Sequence, residues 1–137
     1  MVGVSFLLAL GLLLDVQGGR VVDSSVPWLS AYGFTLTAHV DGLAAFLAVV
    51  VNSLGFLIVV YSHGYMGHET GLPRYYSLVL LFIGAMTGLV IAGNFIQLYV
   101  FWEIVGICSA FLIAFWYDRP EAVRAGLKAF LVTRVGD

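Results

Sequence analysis

Apolar residues are gathered into four long runs, and polar segments separate the runs. They lie at Met1–Leu14, Gly42–Ser62, Tyr75–Ala92 and Asn94–Tyr117. A helix needs about 20 apolar residues, at about 1.5 Å of rise each, to cross the hydrocarbon part of a bilayer. The last three runs are therefore predicted to be complete transmembrane helices. Met1–Leu14 is short for a span and lacks the basic start of a secretory signal. We interpret it as the end of a helix whose beginning is missing, and the chain as a fragment of a longer protein.

The polar segment at 15–41 predicts an extramembrane loop, because glycines, serines and Pro27 recur in it. Within it, Phe34–Val40 alternates apolar and polar residues, which is typical of a strand or an extended arm. Gly93–Asn94 leaves room only for a tight turn, so the spans on either side are predicted to form an antiparallel hairpin. The predicted fold is all-α: a polytopic transmembrane helical bundle with an extramembrane loop or short strand near residues 15–41.

Composition excludes a soluble globular domain. The chain is 61% hydrophobic and only 10% charged, with a mean hydropathy of +1.02. So few charges cannot cover the surface of a soluble domain, so we expect a multi-pass membrane protein. The net charge of −2 gives no reason to expect a nucleic-acid partner. One cysteine, Cys108, excludes an intramolecular disulfide.

Glu103 is the one charged side chain in the last apolar run, and it lies roughly 4 Å from the middle of that run. An acid at that depth costs about 2–3 kcal/mol on insertion scales, and intramembrane acids usually serve function. It needs either a neutral state or a cationic partner. Glu103 is therefore a candidate functional site; the alternative is a protonated side chain that only hydrogen-bonds a neighbouring helix.

Residues around Glu103 predict which side of its helix meets protein. Gly106 and Ala110 share its face and form a small-xxx-small pair that lets another helix come close. Phe101 and Trp102 point away from that face and are predicted to meet lipid. An aromatic cluster at 115–117 is predicted to end the helix at the membrane interface.

A further helix is predicted after the third span, with Asp118 as its cap, Pro120 in its first turn and Glu121 three residues after the cap. It carries charges at depth: Lys128, Arg134 and Asp137. Snorkelling to the interface is the alternative to a functional role for Lys128. For Arg134 and Asp137, within pairing reach at i and i+3, the alternative is a structural ion pair.

Basic residues in short segments predict the orientation. The three spans place Arg74, Arg119 and Arg124 on one side of the membrane and only Arg20 on the other. By the positive-inside rule the first side is cytoplasmic or matrix, so the 15–41 segment lies outside.

The sequence lacks the residue patterns that bind metal ions, iron–sulfur clusters, dinucleotides or haem. His63 and His68 are five apart in a glycine-containing loop, which does not match helical metal-ligand spacing, and His39 is on the polar side of the alternating segment. The sequence has no cysteine cluster for iron–sulfur, no dinucleotide-binding glycine fingerprint and no paired haem histidines. We therefore expect no cofactor in this chain.

Three stretches resemble one known family. VDGLAAFLAVVVNSLGFLIVVYSHGYM, then FWEIVGICSAFLIAFWY around Glu103, then GLKAFLVTRVGD are similar to the antiporter-like L subunit of bacterial NADH:quinone oxidoreductase, whose mitochondrial counterpart is chain 5 of respiratory complex I. The resemblance covers Asp41 to Asp137. It implies a larger antiporter-like fold of two inverted repeats. Residues 1–66 would be its N-terminal region, with a partial helix, the outside loop and the first full span, and residues 67–137 would be the truncated start of its proton-translocating domain.

The resemblance also implies a function and a setting. Glu103 stands where the family has its proton-channel glutamate, which works with a lysine on a helix that would follow Asp137. Lys128, Arg134 and Asp137 match positions that the family links to proton transfer or its coupling. The implied protein is a non-redox, proton-translocating subunit of the oxidoreductase, in the bacterial cell membrane or the mitochondrial inner membrane. Its partners would be other membrane subunits, the bilayer and protons, with NADH, flavin, iron–sulfur and quinone in partner subunits.

A movable cation is the hypothesis for how Glu103 works. Burial favours a neutral carboxyl and a nearby ammonium favours the ionised form. At about 4 Å and an effective dielectric near 20, one cation is worth roughly 4 kcal/mol, close to the roughly 5.5 kcal/mol that nearly complete switching takes. A second cation such as Lys128 would supply the rest. The rivals are a subunit of a multisubunit Na⁺/H⁺ antiporter or a related membrane hydrogenase, and a structural packing module.

Overall fold

The computed structural model describes residues 1–17, 19, 21–29 and 34–137. Its described residues form five helices and a two-stranded sheet. The elements are α1 Val2–Val16, β1 Val22–Leu29, β2 Phe34–Val40, α2 Gly42–Tyr65, α3 Leu72–Val90, α4 Phe95–Ile113 and α5 Pro120–Gly136. Among the described residues, α2, α3 and α4 are long and apolar enough to cross a membrane, which confirms the three predicted spans. The short first run is helical as well. Arg20, used in the orientation prediction, lies outside the described residues.

The 15–41 segment holds more regular structure than predicted. β2 matches the alternating segment, and it pairs antiparallel with β1, from Val22 opposite Val40 to Pro27 opposite Thr35. The sequence prediction placed β1 in a loop, because its serines and Pro27 mask the alternation. A register irregularity follows Pro27, as is usual for a residue that cannot donate to the ladder. His39 Nδ1 lies 2.6 Å from Asp23 Oδ1 across the two strands.

The β-hairpin is fixed to the turn between α3 and α4. The Gly93 N–H donates to Thr37 O at 2.8 Å, and the His39 N–H donates to Ile91 O at 2.9 Å. The Thr37 N–H in turn donates to the side chain of Gln97 at 2.9 Å. The predicted tight turn therefore exists, lengthened to four residues between the helices, and its backbone groups are satisfied by β2.

Small residues let α2, α3 and α4 approach closely. A Cβ added to Gly55 would meet Ile83 of α3 at 2.7 Å, and one added to Gly88 would meet the Phe101 ring at 2.6 Å. The predicted α3–α4 hairpin is thereby confirmed. Phe101 was predicted to meet lipid, and this was wrong: Gly88 opens a space on α3 that only a residue without a side chain provides, and the ring fills it. Buried Asn52 donates to Thr87 Oγ1 at 3.2 Å, across the α2–α3 interface.

The end of α4 and the start of α5 differ from the prediction. α4 ends at Ile113, so the aromatic cluster at 115–117 lies in the connecting segment instead of the last turn. The reason is that Phe115 turns inward and is buried against Tyr75 of α3. Arg119, and not Asp118, is the N-cap residue of α5, and it makes no side-chain capping bond, while Pro120 occupies the first turn as predicted.

Candidate functional site

Glu103 lies at the middle of a membrane-spanning helix. α4 has 19 residues from Phe95 to Ile113, about 28 Å at 1.5 Å per residue. Glu103 is therefore about 1.5 Å from the midpoint, closer than the sequence predicted because α4 ends before the aromatic cluster. Its side chain is 21% exposed. A carboxylate in that position needs a partner of opposite charge.

The partner is Arg134 of α5, whose Nη1 is in ion-pair contact with Glu103 Oε2. Nη2 of the same guanidinium lies 3.3 Å from Asp137 Oδ2. One cation therefore stands between two carboxylates on two different helices. The proximity of Arg134 to Asp137 was predicted from their spacing, and the structure confirms it.

Asp137 is held on its other side by α4. Trp102 Nε1 donates a hydrogen bond of 2.8 Å to Asp137 Oδ1. Trp102 is 49% exposed, in line with the prediction that it leaves the protein-facing side, but its indole nitrogen still reaches back to α5. The Asp137 carboxylate is thereby held by Trp102, and the Arg134 guanidinium lies between the Asp137 and Glu103 carboxylates.

Glycines create the room for this arrangement. A Cβ added to Gly106 would lie 2.5 Å from Arg134 Nη2, and one added to Gly126 would lie 2.8 Å from the Ala110 carbonyl oxygen. Gly126 is buried on α5. The small-xxx-small pair of Gly106 and Ala110 thus meets another helix, as predicted, and that helix is α5. The absence of a side chain at Gly106 gives the guanidinium the space beside Glu103.

Two nitrogen atoms of the Arg134 guanidinium lack a hydrogen-bond acceptor among the described residues. Nε and Nη2 of Arg134 are buried and make no hydrogen bond within the described part of the chain. The Phe130 ring lies 5.2 Å from Arg134 Cζ and supports the cation from α5 itself. Charge attraction, more than a closed set of hydrogen bonds, holds Arg134 in position.

Lys128 is not part of the cluster. It is exposed, and it lies two residues from buried Gly126, about 200° around the helix axis. Lys128 therefore does not join the Glu103 cluster within the described residues, and its part in the proton path stays a prediction. Arg134 is the cation in contact with Glu103.

The Glu103–Arg134 contact was missed by sequence reasoning. The signal was present, because the two residues carry opposite charges at comparable distances from the segment that joins two consecutive antiparallel helices. Sequence reasoning paired Arg134 with Asp137 alone, since those two are neighbours on one helix. Among the described residues no group of three or more histidine, cysteine, aspartate or glutamate side chains comes together to hold a metal ion.

Two family models match the chain. One, described as NADH-ubiquinone oxidoreductase (complex I), chain 5 N-terminus, matches residues 28–76. The other, described as NADH:quinone oxidoreductase/Mrp antiporter, TM, matches residues 92–137. The second match contains the whole Glu103, Arg134 and Asp137 cluster.

Several curated proteins are similar along almost the whole chain. It is 41% identical to NAD(P)H-quinone oxidoreductase chain 5 of Picosynechococcus sp., covering 100% of this chain and 21% of that protein. It is 43% identical to the chain 5 protein of Synechocystis sp., covering 98% of this chain and 20% of that one. It is 40% identical to F(420)H(2) dehydrogenase subunit L of Methanosarcina mazei, covering 98% and 19%. The chain thus spans about a fifth of the length of these relatives. Three of its described helices are long and apolar enough to cross a membrane, and the chain is an integral membrane protein.

Proposed function

This chain is related over its whole length to chain 5 of the NAD(P)H-quinone oxidoreductases, and from that premise we propose that it carries a proton-translocating site of such a complex. Glu103 binds and releases the proton, and Arg134 controls its charge. The observation that supports this most strongly is a single guanidinium placed between Glu103 and Asp137 at the middle of a spanning helix.

The energetics of that arrangement suit a switch. Two unit charges about 4 Å apart attract by roughly 4 kcal/mol at an effective dielectric near 20. Nearly complete switching of a two-state site takes about 5.5 kcal/mol. When Arg134 moves from Glu103 toward Asp137, the Glu103 carboxylate loses most of that attraction. The guanidinium keeps a partner of opposite charge, because Asp137 replaces Glu103.

The proposed cycle has two states. With Arg134 on Asp137, Glu103 loses its counter-ion and takes up a proton. With Arg134 back on Glu103, the carboxylate form is favoured and the proton leaves. The Trp102 hydrogen bond keeps Asp137 ready as the alternative acceptor. A lysine beyond Asp137, implied by the family resemblance, would act on the same carboxyl from another helix.

Electron transfer is proposed to take place in partner subunits. The chain is about equally identical to relatives named for different electron donors, NAD(P)H in one case and F(420)H(2) in another. A membrane part that is shared between different donors fits a role in moving protons and not electrons. NADH or another donor, flavin, iron–sulfur centres and quinone would then bind to other subunits of the complex.

Glu103→Gln in the assembled complex tests the proposal. The matched control is Glu121→Gln, which removes the same charge from an exposed position in the first turn of α5. In sealed membrane vesicles, the Glu103→Gln complex should move fewer protons per electron than wild type, and Glu121→Gln should keep the wild-type ratio. A Glu103→Gln complex with the normal ratio would refute the proposal. So would a variant that only reduces the amount of assembled complex, since that result describes a packing module.

A Na⁺/H⁺ antiporter subunit is the second candidate, because the family model that matches residues 92–137 also includes Mrp antiporters. The same cluster would then serve exchange without electron transfer. Proton flux in vesicles that depends on sodium, with neither an electron donor nor a quinone supplied, would favour it over the proposed function.

A further inference from the structure

Arg74 joins α3 to the segment between α4 and α5, at the end of the bundle opposite the β-hairpin. It lies in the first turn of α3, and its Nη2 donates a hydrogen bond of 2.7 Å to the carbonyl oxygen of Phe115. Its Cζ lies 5.0 Å from the centre of the Phe115 ring and 4.8 Å from the centre of the Tyr117 ring. All three contacts are with the segment that links α4 to α5.

That segment has further anchors on α2 and α3. Phe115 is buried and meets the Tyr75 ring edge-on at 5.5 Å. The Tyr75 hydroxyl forms a hydrogen bond of 2.8 Å with buried Ser62 of α2. A second, solvent-exposed contact joins this segment to the one between α2 and α3, because Trp116 Nε1 donates a hydrogen bond of 3.1 Å to Glu69 Oε2. The segment after α4 is thus held directly by α3, through Tyr75 by α2, and by Glu69 of the α2–α3 segment, before α5 begins.

The start of α5 sets the height of Arg134. α5 begins at Pro120, directly after the anchored segment, and runs without interruption past Arg134. Each residue along a helix advances about 1.5 Å and turns about 100°. A slip of α5 by one residue would therefore carry the guanidinium both along and around the axis, away from Glu103. The end of α4 at Ile113 is ten residues beyond Glu103, about 15 Å along the helix, and the Phe115 carbonyl follows it.

We infer that Arg74 is a positioning residue for the Glu103–Arg134 ion pair, an inference that rests on the proposed function. Arg74 touches neither member of the pair. It acts by holding the α4–α5 segment so that α5 presents Arg134 at the level of Glu103.

Arginine suits this task better than lysine. Its guanidinium donates to the Phe115 carbonyl, and its Cζ lies 5.0 Å and 4.8 Å from the centres of the Phe115 and Tyr117 rings; a planar, delocalised cation can stack on aromatic rings and donate at the same time. A lysine ammonium keeps the charge but lacks the plane. Arg74→Lys should therefore behave like Arg74→Gln and should not rescue the wild-type behaviour.

The test uses Arg74→Gln in the assembled complex, with Arg124→Gln as the control. Arg124 is exposed near the start of α5, at the same end of the bundle. Arg74→Gln should lower donor-driven proton translocation about threefold or more, within the range seen for coupled residues. It should also raise the protonated-carboxyl infrared band that Glu103→Gln removes, at a fixed pH. Arg124→Gln should change neither quantity.

The second arm asks whether Arg74 acts through Arg134. In an Arg134→Gln background, adding Arg74→Gln should have little further effect on translocation, because the pair is already lost. Equal losses in both backgrounds, an unchanged infrared band or full rescue by Arg74→Lys would overturn the inference. If Arg74→Gln does not assemble, Tyr117→Ala removes one ring contact and goes through the same comparison. These outcomes are distinct from failure of the proposed function, which shows as a normal proton-to-electron ratio in Glu103→Gln.

Discussion

Arg134 carries one positive charge and lies next to two carboxylates, those of Glu103 and Asp137. Its Nη1 contacts Glu103 and its Nη2 lies 3.3 Å from Asp137, so the cluster carries one more negative charge than positive when both acids are ionised. Removing one member of a buried ion pair is more costly than removing both, since it leaves a buried charge without a partner. The site is therefore sensitive to where the guanidinium lies, and Gly106 is the residue that leaves it space.

Gly106→Ala should disturb the ion pair without disturbing the helix. Its new Cβ would collide with Arg134 Nη2, the mobile end of a long side chain, so the guanidinium must move away from Glu103. Alanine is a better helix former than glycine, so the helix itself should remain. Proton translocation should fall about fivefold, equivalent to about 1 kcal/mol, as measured in sealed vesicles.

Gly84→Ala is the matched control for that prediction. It is the same change within the spanning helix α3, and a Cβ there would find nothing within 4 Å. It should leave translocation at the wild-type rate. Equal losses in Gly84→Ala and Gly106→Ala would contradict the role assigned to the guanidinium.

At the scale of the elements, the apolar runs predicted where the helices lie, because a span must be long and uncharged. The alternation at 34–40 likewise predicted β2. β1 was not predictable from its own residues, since Pro27 and the serines hide its alternation and only pairing with β2 makes it a strand. The end of α4 was not predictable either, because it depends on Phe115 packing against Tyr75, a contact distant in sequence.

One residue of the candidate site could be predicted from the sequence, and its contact with another helix could not. Glu103 is evident from the sequence, since a lone charge in an apolar run stands out. Its contact with Arg134 depends on the register between two helices, which sequence spacing does not give. Lys128 is a second example. Its depth was predicted from the rise per residue, but the face of α5 on which it lies, exposed and opposite Gly126, was not.

The β-hairpin and α4 are coupled through Gln97. Its buried side chain accepts the Thr37 N–H at 2.9 Å, so Gln97→Leu should leave that donor unpaired at a cost of about 1–3 kcal/mol. Hydrogen exchange of the peptide covering 34–40 should become faster in the intact complex. Gln17→Leu, the same change at an exposed residue, should leave the exchange rate unaltered; an equal acceleration there would contradict the assigned coupling.

For the molecule as a whole, the helices place the β-hairpin at one end of the bundle and Arg74 and Arg119 at the other. Arg74 and Phe115 meet at the second end, where Arg119 also lies against Trp116. Positive charge concentrates on the cytoplasmic or matrix side of membrane proteins. The hairpin end is therefore predicted to face outward.

Thiol labelling tests this orientation. Ser25→Cys marks the hairpin and His68→Cys marks the α2–α3 segment, and both positions are exposed. The native Cys108 is buried, so it should contribute little background. A membrane-impermeant reagent should label His68→Cys but not Ser25→Cys in sealed inside-out vesicles, and the reverse in right-side-out vesicles. The opposite pattern would contradict the predicted orientation.

The measurement that bears most directly on the central claim is a double-mutant cycle of Glu103→Gln and Arg134→Gln, read as the thermal stability of the assembled complex. If the two side chains form an ion pair within the membrane, Arg134→Gln alone should destabilise the complex, and the double variant should recover the part of the loss that comes from an unpaired Glu103, while Asp137 stays without its cation. The coupling energy should be about 2 kcal/mol or more. If the effects of the two single variants simply add, Glu103 and Arg134 act independently, and Arg134 does not control the charge of Glu103.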